Sequence, residues 1–397
     1  MKIRSIGIAG AAVLVTASLA ACGSSSGSHN GNTYNVLVMG GLSAKIGILA
    51  DNSGTSVAAA KASVDYANAH GGVDGKHVTI TVIDDQSDPT VAVTKLRAAL
   101  AQSKPDLVLN SGPSTVAAAT LPILNAQHIL SMNIGPTATS SNPADFPLNF
   151  DISAGASAQL AGYAPYLQSK GIKSVAILHG NSAYGQTYGT SAESVLKADG
   201  FTVTSNQEYD VTALDMTPQL QTLQASKPDA LIIDAYGAPL GYILKGVSKL
   251  GWNVPLIGNT SVTATNLTGD VPPNGLVGTA DVKNLVMQAP VAAKYDASAT
   301  AVNDAVQGML KYGPLKASFV LAANYDALPL IMAAADAAKS TDANAIAKEL
   351  INPTVLANAH TVMFANYGFT AASHSVQNVA SGYTFIAPSV MKNSQFQ

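Results

Sequence analysis

The sequence predicts an α/β protein of two lobes, each built on a doubly wound parallel sheet, and three observations carry that expectation. Short apolar strands alternate with helical stretches along most of the chain, the pattern from which parallel sheets covered by helices are made. The length, 397 residues, exceeds the size at which a single core stops growing. The tetrapeptide Ser-Lys-Pro-Asp occurs at 103–106 and again at 226–229, each time after a helix and before a buried strand, as a repeated building plan requires.

The elements follow in order. Residues 35–39 (NVLVM) read as a buried strand, 40–54 as a loop, and about 55–70 as a helix with Val57, Ala60, Val64 and Ala67 on one face and Gly71-Gly72 as its stop. A strand at 77–83 leads to Asp88, which can cap a helix that has Pro89 at its first position and runs to about 102. Strands at 107–109 and 129–132 flank a helix from about Val116. After a crossing near 150–153 the pattern restarts. It gives a helix at 157–170, a strand at 174–178, a helix to Asp199, a strand at 202–205 and a helix begun by Thr217-Pro218. The strand after the second Ser-Lys-Pro-Asp, the helix 240–250 and the strand 255–257 complete the series. Another crossing is expected at 268–274, then a strand at 276–279, helices at 291–312, 318–338 and 344–351, and a last strand at 382–386. The lobes are therefore expected at 33–152 with 279–372, and at 153–278 with 373–397.

Composition narrows the function classes. Apolar residues make up 47% and charged residues 11%, which excludes disorder for the body of the chain. A net charge of −3 without clustered Lys and Arg gives no electrostatic footprint for nucleic acid. Lys2 and Arg4 precede an apolar stretch at 6–20, the pattern of a secretory signal and too short for an ordinary membrane span. It ends in Leu19-Ala20-Ala21-Cys22, which resembles the bacterial lipoprotein box, with Cys22 as the lipidated residue. Residues 1–22 are thus expected to be signal and box, and 23–32, rich in Gly and Ser, a flexible tether.

The chemistry on offer is binding. Loops 110–115 and 133–139 both leave the carboxyl ends of strands, where open α/β folds take ligands. They supply hydroxyls, and the backbone N–H groups of a helix start, a setting suited to a carboxylate. In the second lobe Tyr184 and Tyr236 each follow a strand, able to cover an apolar ligand body while the hydroxyl bonds a polar end. Asp234 is the one carboxylate at such a strand end; it could meet an ammonium group or bond loop amides. No HExxH pair, no GxSxG elbow following a strand and no phosphate loop occurs, and one cysteine cannot build a thiolate zinc site. Asp84 and Asp85 point to opposite faces of a strand. No metal or cofactor is expected, and a hydrolase using Ser114 or Ser182 with His179 is the enzyme alternative.

Gly40-Gly41-Leu42-Ser43, the run 68–76 (NAHGGVDGK), the loop 84–89 (DDQSDP), Ser182-Ala183-Tyr184-Gly185 and Tyr325-Asp326-Ala327 together resemble bacterial solute-binding proteins of the branched-chain amino-acid ABC transporter type. The resemblance spans nearly all of the chain after Cys22. It implies a type I periplasmic-binding fold with three hinge crossovers, and closure of the lobes around a ligand. It implies that first-lobe positions matching Gly112, Ser114, Thr115, Thr137 and Thr139 hold a ligand carboxylate, with Ser43 also at the site, and that Tyr184, Tyr236 and Thr260 line the second lobe. Amino-acid binders of the family commonly carry an acid near the position of Thr260. Asn259-Thr260-Ser261 has none, which turns the expectation toward a desamino acid, an aromatic acid or a short amide unless Asp234 supplies the charge. The family's first-lobe disulfide is absent. The resemblance implies a non-enzymatic, monomeric receptor outside the cytoplasmic membrane, anchored through Cys22 and delivering a small amino-acid-like or carboxylate/amide ligand to an ABC permease. A sensing receptor of the same fold is the alternative.

Overall fold

One strand order is used twice. In the first sheet β1 (Thr33–Gly40), β2 (His77–Asp84), β3 (Leu107–Asn110), β4 (Leu130–Asn133) and β5 (Asn149–Asp151) lie in the order β2-β1-β3-β4-β5, all parallel. In the second, β6 (Ser174–Gly180), β7 (Thr202–Tyr209), β8 (Ala230–Ile233), β9 (Leu256–Gly258) and β10 (Leu285–Pro290) repeat that order, and β11 (Tyr383–Ile386) adds an antiparallel edge beside β10. The protein is described from a computed structural model that covers residues 32–397 except Tyr236 and Asn378, with the backbone alone at Val379 and Ala380. The expected signal segment, the lipid site Cys22, tether residues 23–31 and Tyr236 lie outside the described residues.

Each sheet is covered on both faces, as parallel strands require. The first lobe carries α1 (Gly47–Ala69), α2 (Pro89–Gln102) and α3 (Ser114–Ala126). The second carries α4 (Ala156–Leu160), α5 (Tyr163–Ser169), α6 (Ala183–Ala198), α7 (Thr217–Ala225), α8 (Ala238–Lys249) and the short α9 (Thr260–Thr263). The chain then returns to the first lobe for α10 (Thr300–Leu310), α11 (Ala327–Ala338), α12 (Ala343–Leu350) and α13 (Pro353–Ala357). Side chains alternate across a strand, so Val36 and Val38 of β1 join the core under α1 and α11, while Leu37 and Met39 join the one under α2 and α3. In β6, Ala176 and Leu178 face α7 and α8, and Val175 and Ile177 face α5 and α6.

The repeated tetrapeptide does the same work in both lobes. Asp106 accepts the backbone N–H of Asn35 at 2.7 Å, tying the start of β3 to that of β1. Asp229 accepts the backbone N–H groups of Lys173 and Ser174 at 3.0 and 2.8 Å, tying β8 to β6. In each lobe these strands are neighbours at the reversal of strand order, so the aspartate fixes one end of the switch point whose other end is open to ligands.

Among the described residues the chain passes between the lobes after β5 and after β10, and His374 in the first lobe and β11 in the second flank a third passage. The first and third are bonded together, with Asp151 N–H donating to the His374 carbonyl at 2.8 Å and Phe150 stacked on the His374 ring. The buried Asp151 carboxylate accepts from Ser140 Oγ at 2.6 Å, Asn149 Nδ2 at 3.0 Å and Asn133 Nδ2 at 3.1 Å. A small hairpin, β12 (Met391–Lys392) with β13 (Gln395–Phe396), lies beside the second crossing. Phe396 enters the second-lobe core and Met391 N–H donates to the Gly269 carbonyl, while the Ser394 carbonyl accepts from Phe319 N–H in the first lobe. Ser394 Oγ donates to the Ala317 carbonyl and Gln395 Nε2 to that of Ala292.

Several sequence expectations give way here. Residues 276–279 form a turn, with Thr279 N–H on the Leu276 carbonyl and Gly278 at φ +84°. The strand is β10 instead, so the return to the first lobe falls after Pro290 and not at 279. The expected helix 291–312 is a single 3-10 turn and then α10 from Thr300. The expected helix 318–338 is 3-10 to Tyr325 before α11 begins. The break sits at Asp326, whose carboxylate accepts the N–H groups of Val362 and Met363 and the Tyr367 hydroxyl. The expected helix 157–170 is split into α4 and α5, and α1 starts at Gly47, well before Thr55.

Candidate functional site

Between the lobes, over the carboxyl ends of both sheets, lies a cavity of about 450 Å³. Its first-lobe side is set by two asparagines. Asn110, ending β3, accepts the Gly112 N–H at 2.9 Å, and Asn133, ending β4, accepts the Gly135 N–H at 2.9 Å; Asn110 Nδ2 then donates to Asn133 Oδ1. The two loops are thereby pressed together so closely that a Cβ on Gly135 would stand 2.8 Å from the Ser114 nitrogen and 3.0 Å from the Gly112 carbonyl oxygen. This fixes where α3 begins. Pro113 occupies its cap position without a side-chain cap and its carbonyl accepts the Val116 N–H at 3.0 Å, which leaves the N–H groups of Ser114 and Thr115 to face the cavity.

The second-lobe side faces it through α6, capped by Ser182, whose Oγ accepts the Gly185 N–H at 3.0 Å. The Tyr184 N–H donates across the cleft to Ser114 Oγ at 3.3 Å. Gln159 organises the deeper wall. Its Oε1 faces the Tyr184 hydroxyl at 3.0 Å and Thr260 Oγ1 at 2.9 Å, its Nε2 donates to the Ala154 carbonyl, and its own carbonyl accepts from Gln288 Nε2. Asp234 is buried and accepts from Asn259 Nδ2 at 2.7 Å, just as the ends of β3 and β4 are tied in the first lobe. Burial holds the Asp234 carboxyl above the usual carboxylate range, against the lowering effect of Asn259, Ser261 and His179. Among the described residues it is the only charged one lining the cavity, and none of them in its walls is Lys, Arg or His.

The structure brings together Gly112, Ser114, Thr115, Tyr184, Asp234 and Thr260 around this space. It places Ser43, Thr137 and Thr139 elsewhere, and Tyr236 lies outside the described residues. Ser43 is exposed, with its N–H and hydroxyl both donating to Asp84. Thr137 exchanges hydrogen bonds with Ser140, N–H to Oγ at 2.8 Å and Ser140 N–H to Thr137 Oγ1 at 3.0 Å, and so serves the Asp151 hinge cluster rather than the cavity. Thr139 is exposed on the next turn and does not line the cavity. The lining residues Asn52, Ser53, Gln159 and Tyr209 were not singled out by the sequence. Asn52 and Ser53 fall in a polar run ending in Gly54 that reads as a turn but forms the first part of α1. Gln159 gives a weak signal, a lone amide between Ala158 and Leu160. His179 is buried against Gly189, with Nδ1 on the Gly180 carbonyl, and lines no part of the cavity beside Ser114 or Ser182.

A family model described as periplasmic binding protein matches residues 37–384. The chain belongs to the periplasmic binding protein family. Among solved structures, a type 1 periplasmic binding protein from Bordetella pertussis Tohama I aligns with a TM-score of 0.73 at 20% identity, over 92% of this chain and 99% of that one. A solute-binding protein of an ABC transporter from R. palustris, in complex with 4-hydroxybenzoate, aligns at 0.66 and 18% identity, over 80% and 84%. Another from Rhodopseudomonas palustris BisB5, in complex with 3,4-dihydroxybenzoic acid, aligns at 0.63 and 18%, over 81% and 84%. No curated protein matches the chain. This periplasmic binding protein has the family's fold, two α/β lobes on parallel sheets.

Proposed function

We propose that this protein is the receptor of an ABC importer, held outside the cytoplasmic membrane through a lipid on Cys22. Acting as a monomer, it clamps a small carboxylate-bearing solute between its lobes for delivery to the permease. The observation that carries the ligand class is the uncapped start of α3, with Ser114 and Thr115 facing the second lobe inside a cavity without cationic side chains. Backbone N–H groups at a helix start suit an anion without a formal countercharge. The benzoate complexes of the two similar R. palustris proteins support an organic acid as ligand. The missing acid at Thr260 and the engaged carboxylate of Asp234 weigh against a branched-chain amino acid.

The test is a thermal-shift and calorimetric screen of the purified full chain against amino acids, aliphatic acids, aromatic acids and their amides. A ligand at 100 times its Kd stabilises the native state by about 2.7 kcal/mol. Saturable stabilisation by carboxylates, lost on amidation, supports the reading; stabilisation by none of them overturns it.

A further inference from the structure

The second-lobe wall has a hydrogen-bonding polarity that can be read atom by atom. Gln159 Nε2 sits on the Ala154 carbonyl, which can only accept, so the amide is fixed with Oε1 toward Tyr184 and Thr260. Both hydroxyls face that oxygen and must donate to it. On these two oxygens the hydrogens are spent inside the protein and lone pairs are what is left for a ligand. Asp234, beside them, is an acceptor too when ionised, and the Tyr184 N–H is taken by Ser114.

Resting on the receptor reading above, we infer that this wall selects its solute by a neutral hydrogen-bond donor, a hydroxyl or amide N–H. The donor is carried at the end of the solute away from the carboxylate, and Gln159 is the positioning residue that imposes the choice. Against the Tyr184 and Thr260 oxygens a carboxylate, ether or halogen would meet lone pairs, and a buried acceptor left unpaired costs affinity. An ammonium group would meet Asp234, whose carboxyl is already engaged by Asn259 Nδ2 at 2.7 Å and is held above the usual carboxylate range by burial.

Two matched sets test this by calorimetry on the full chain: 4-hydroxybenzoate, benzoate and 4-methoxybenzoate; and 5-hydroxypentanoate, pentanoate and 5-aminopentanoate. The hydroxyl member is expected to bind at least tenfold more tightly than the others in whichever set binds. Gln159→Leu frees the Tyr184 and Thr260 hydrogens to turn toward the ligand and should bring 4-methoxybenzoate and 4-hydroxybenzoate within about threefold. Gln159→Glu, still an acceptor there, should keep the preference. Thr260→Val, which removes one acceptor with little change of shape, should cost the hydroxyl member more than the unsubstituted acid. Equal or tighter binding of the unsubstituted, methoxy or ammonium member to the unmodified chain overturns the inference and leaves the receptor reading standing. Binding of no acid in either set overturns both.

Discussion

The backbone N–H of Tyr184, in the first turn of α6, donates to the side-chain oxygen of Ser114, the first residue of α3. Two helix starts, one from each lobe, thus meet across the cavity through a single hydrogen bond. Ser114 therefore both lines the cavity and makes a contact between the lobes.

Ser114→Ala removes the cross-cleft acceptor and a hydroxyl from the cavity, but no core packing. Carboxylate affinity should fall by about 1–2 kcal/mol, while stability should change by about 1 kcal/mol or less. Calorimetry and chemical denaturation on one preparation check the two numbers, and equal losses in both would reduce Ser114 to a structural role.

Gly135→Ala places a methyl group against the Ser114 nitrogen and the Gly112 carbonyl. Backbone on both sides cannot swing aside, so the α3 loop must shift, at a cost of about 1–3 kcal/mol in stability. Ligand affinity should fall further than in Ser114→Ala, as measured under conditions where the variant remains folded.

Thr139→Val should leave affinity within about twofold, since the residue is exposed and away from the cavity lining. Thr137→Val should instead lower the melting temperature, because it loosens Ser140 and, through it, the hinge carboxylate of Asp151. One or two hydrogen bonds are affected, worth about 1 kcal/mol each.

Burial pushes Asp326 up to about 6 from a reference of 3.8, against the lowering effect of its bonds to the N–H groups of Val362 and Met363 and the Tyr367 hydroxyl. A raised native pKa means that the folded state holds its proton more tightly than the unfolded one. The stabilising effect of that proton is complete below about 3.8 and is lost as pH rises through about 6. His374, lowered by burial, acts in the opposite sense and loses stability as pH falls through 6.5. Changing one group isolates its share. In Asp326→Asn the melting temperature at pH 5 relative to pH 7 should drop compared with the unmodified chain, and an unchanged difference would mean that Asp326 titrates alike in both states.

The fold was legible because its signals are local. Each Ser-Lys-Pro-Asp announces a strand start, and the Asn-x-Gly endings of β3 and β4 announce turns that open into the cavity. What escaped the sequence depends on distant partners. Thr137 and Ser114 occupy similar hydroxyl-rich loops, and only the position of Asp151 decides that one is bonded into the hinge cluster while the other faces the cavity. Gln159 is a polar residue in a short apolar helix until Ala154, Tyr184 and Thr260 are seen around it. The 318–338 stretch has the composition of one long helix, and its break at Asp326 is imposed by N–H groups from 362 and 363.

The hairpin 391–396 reaches Gly269 on one side and Ala317 and Phe319 on the other, next to the crossing at Ala292. A fluorophore attached at its exposed Lys392 or Asn393 would ride at the pivot, where a swing displaces it least, and would stay almost silent. Dyes at Thr139 and Asn181, exposed on opposite lobes, are the pair whose separation would register capture of a solute.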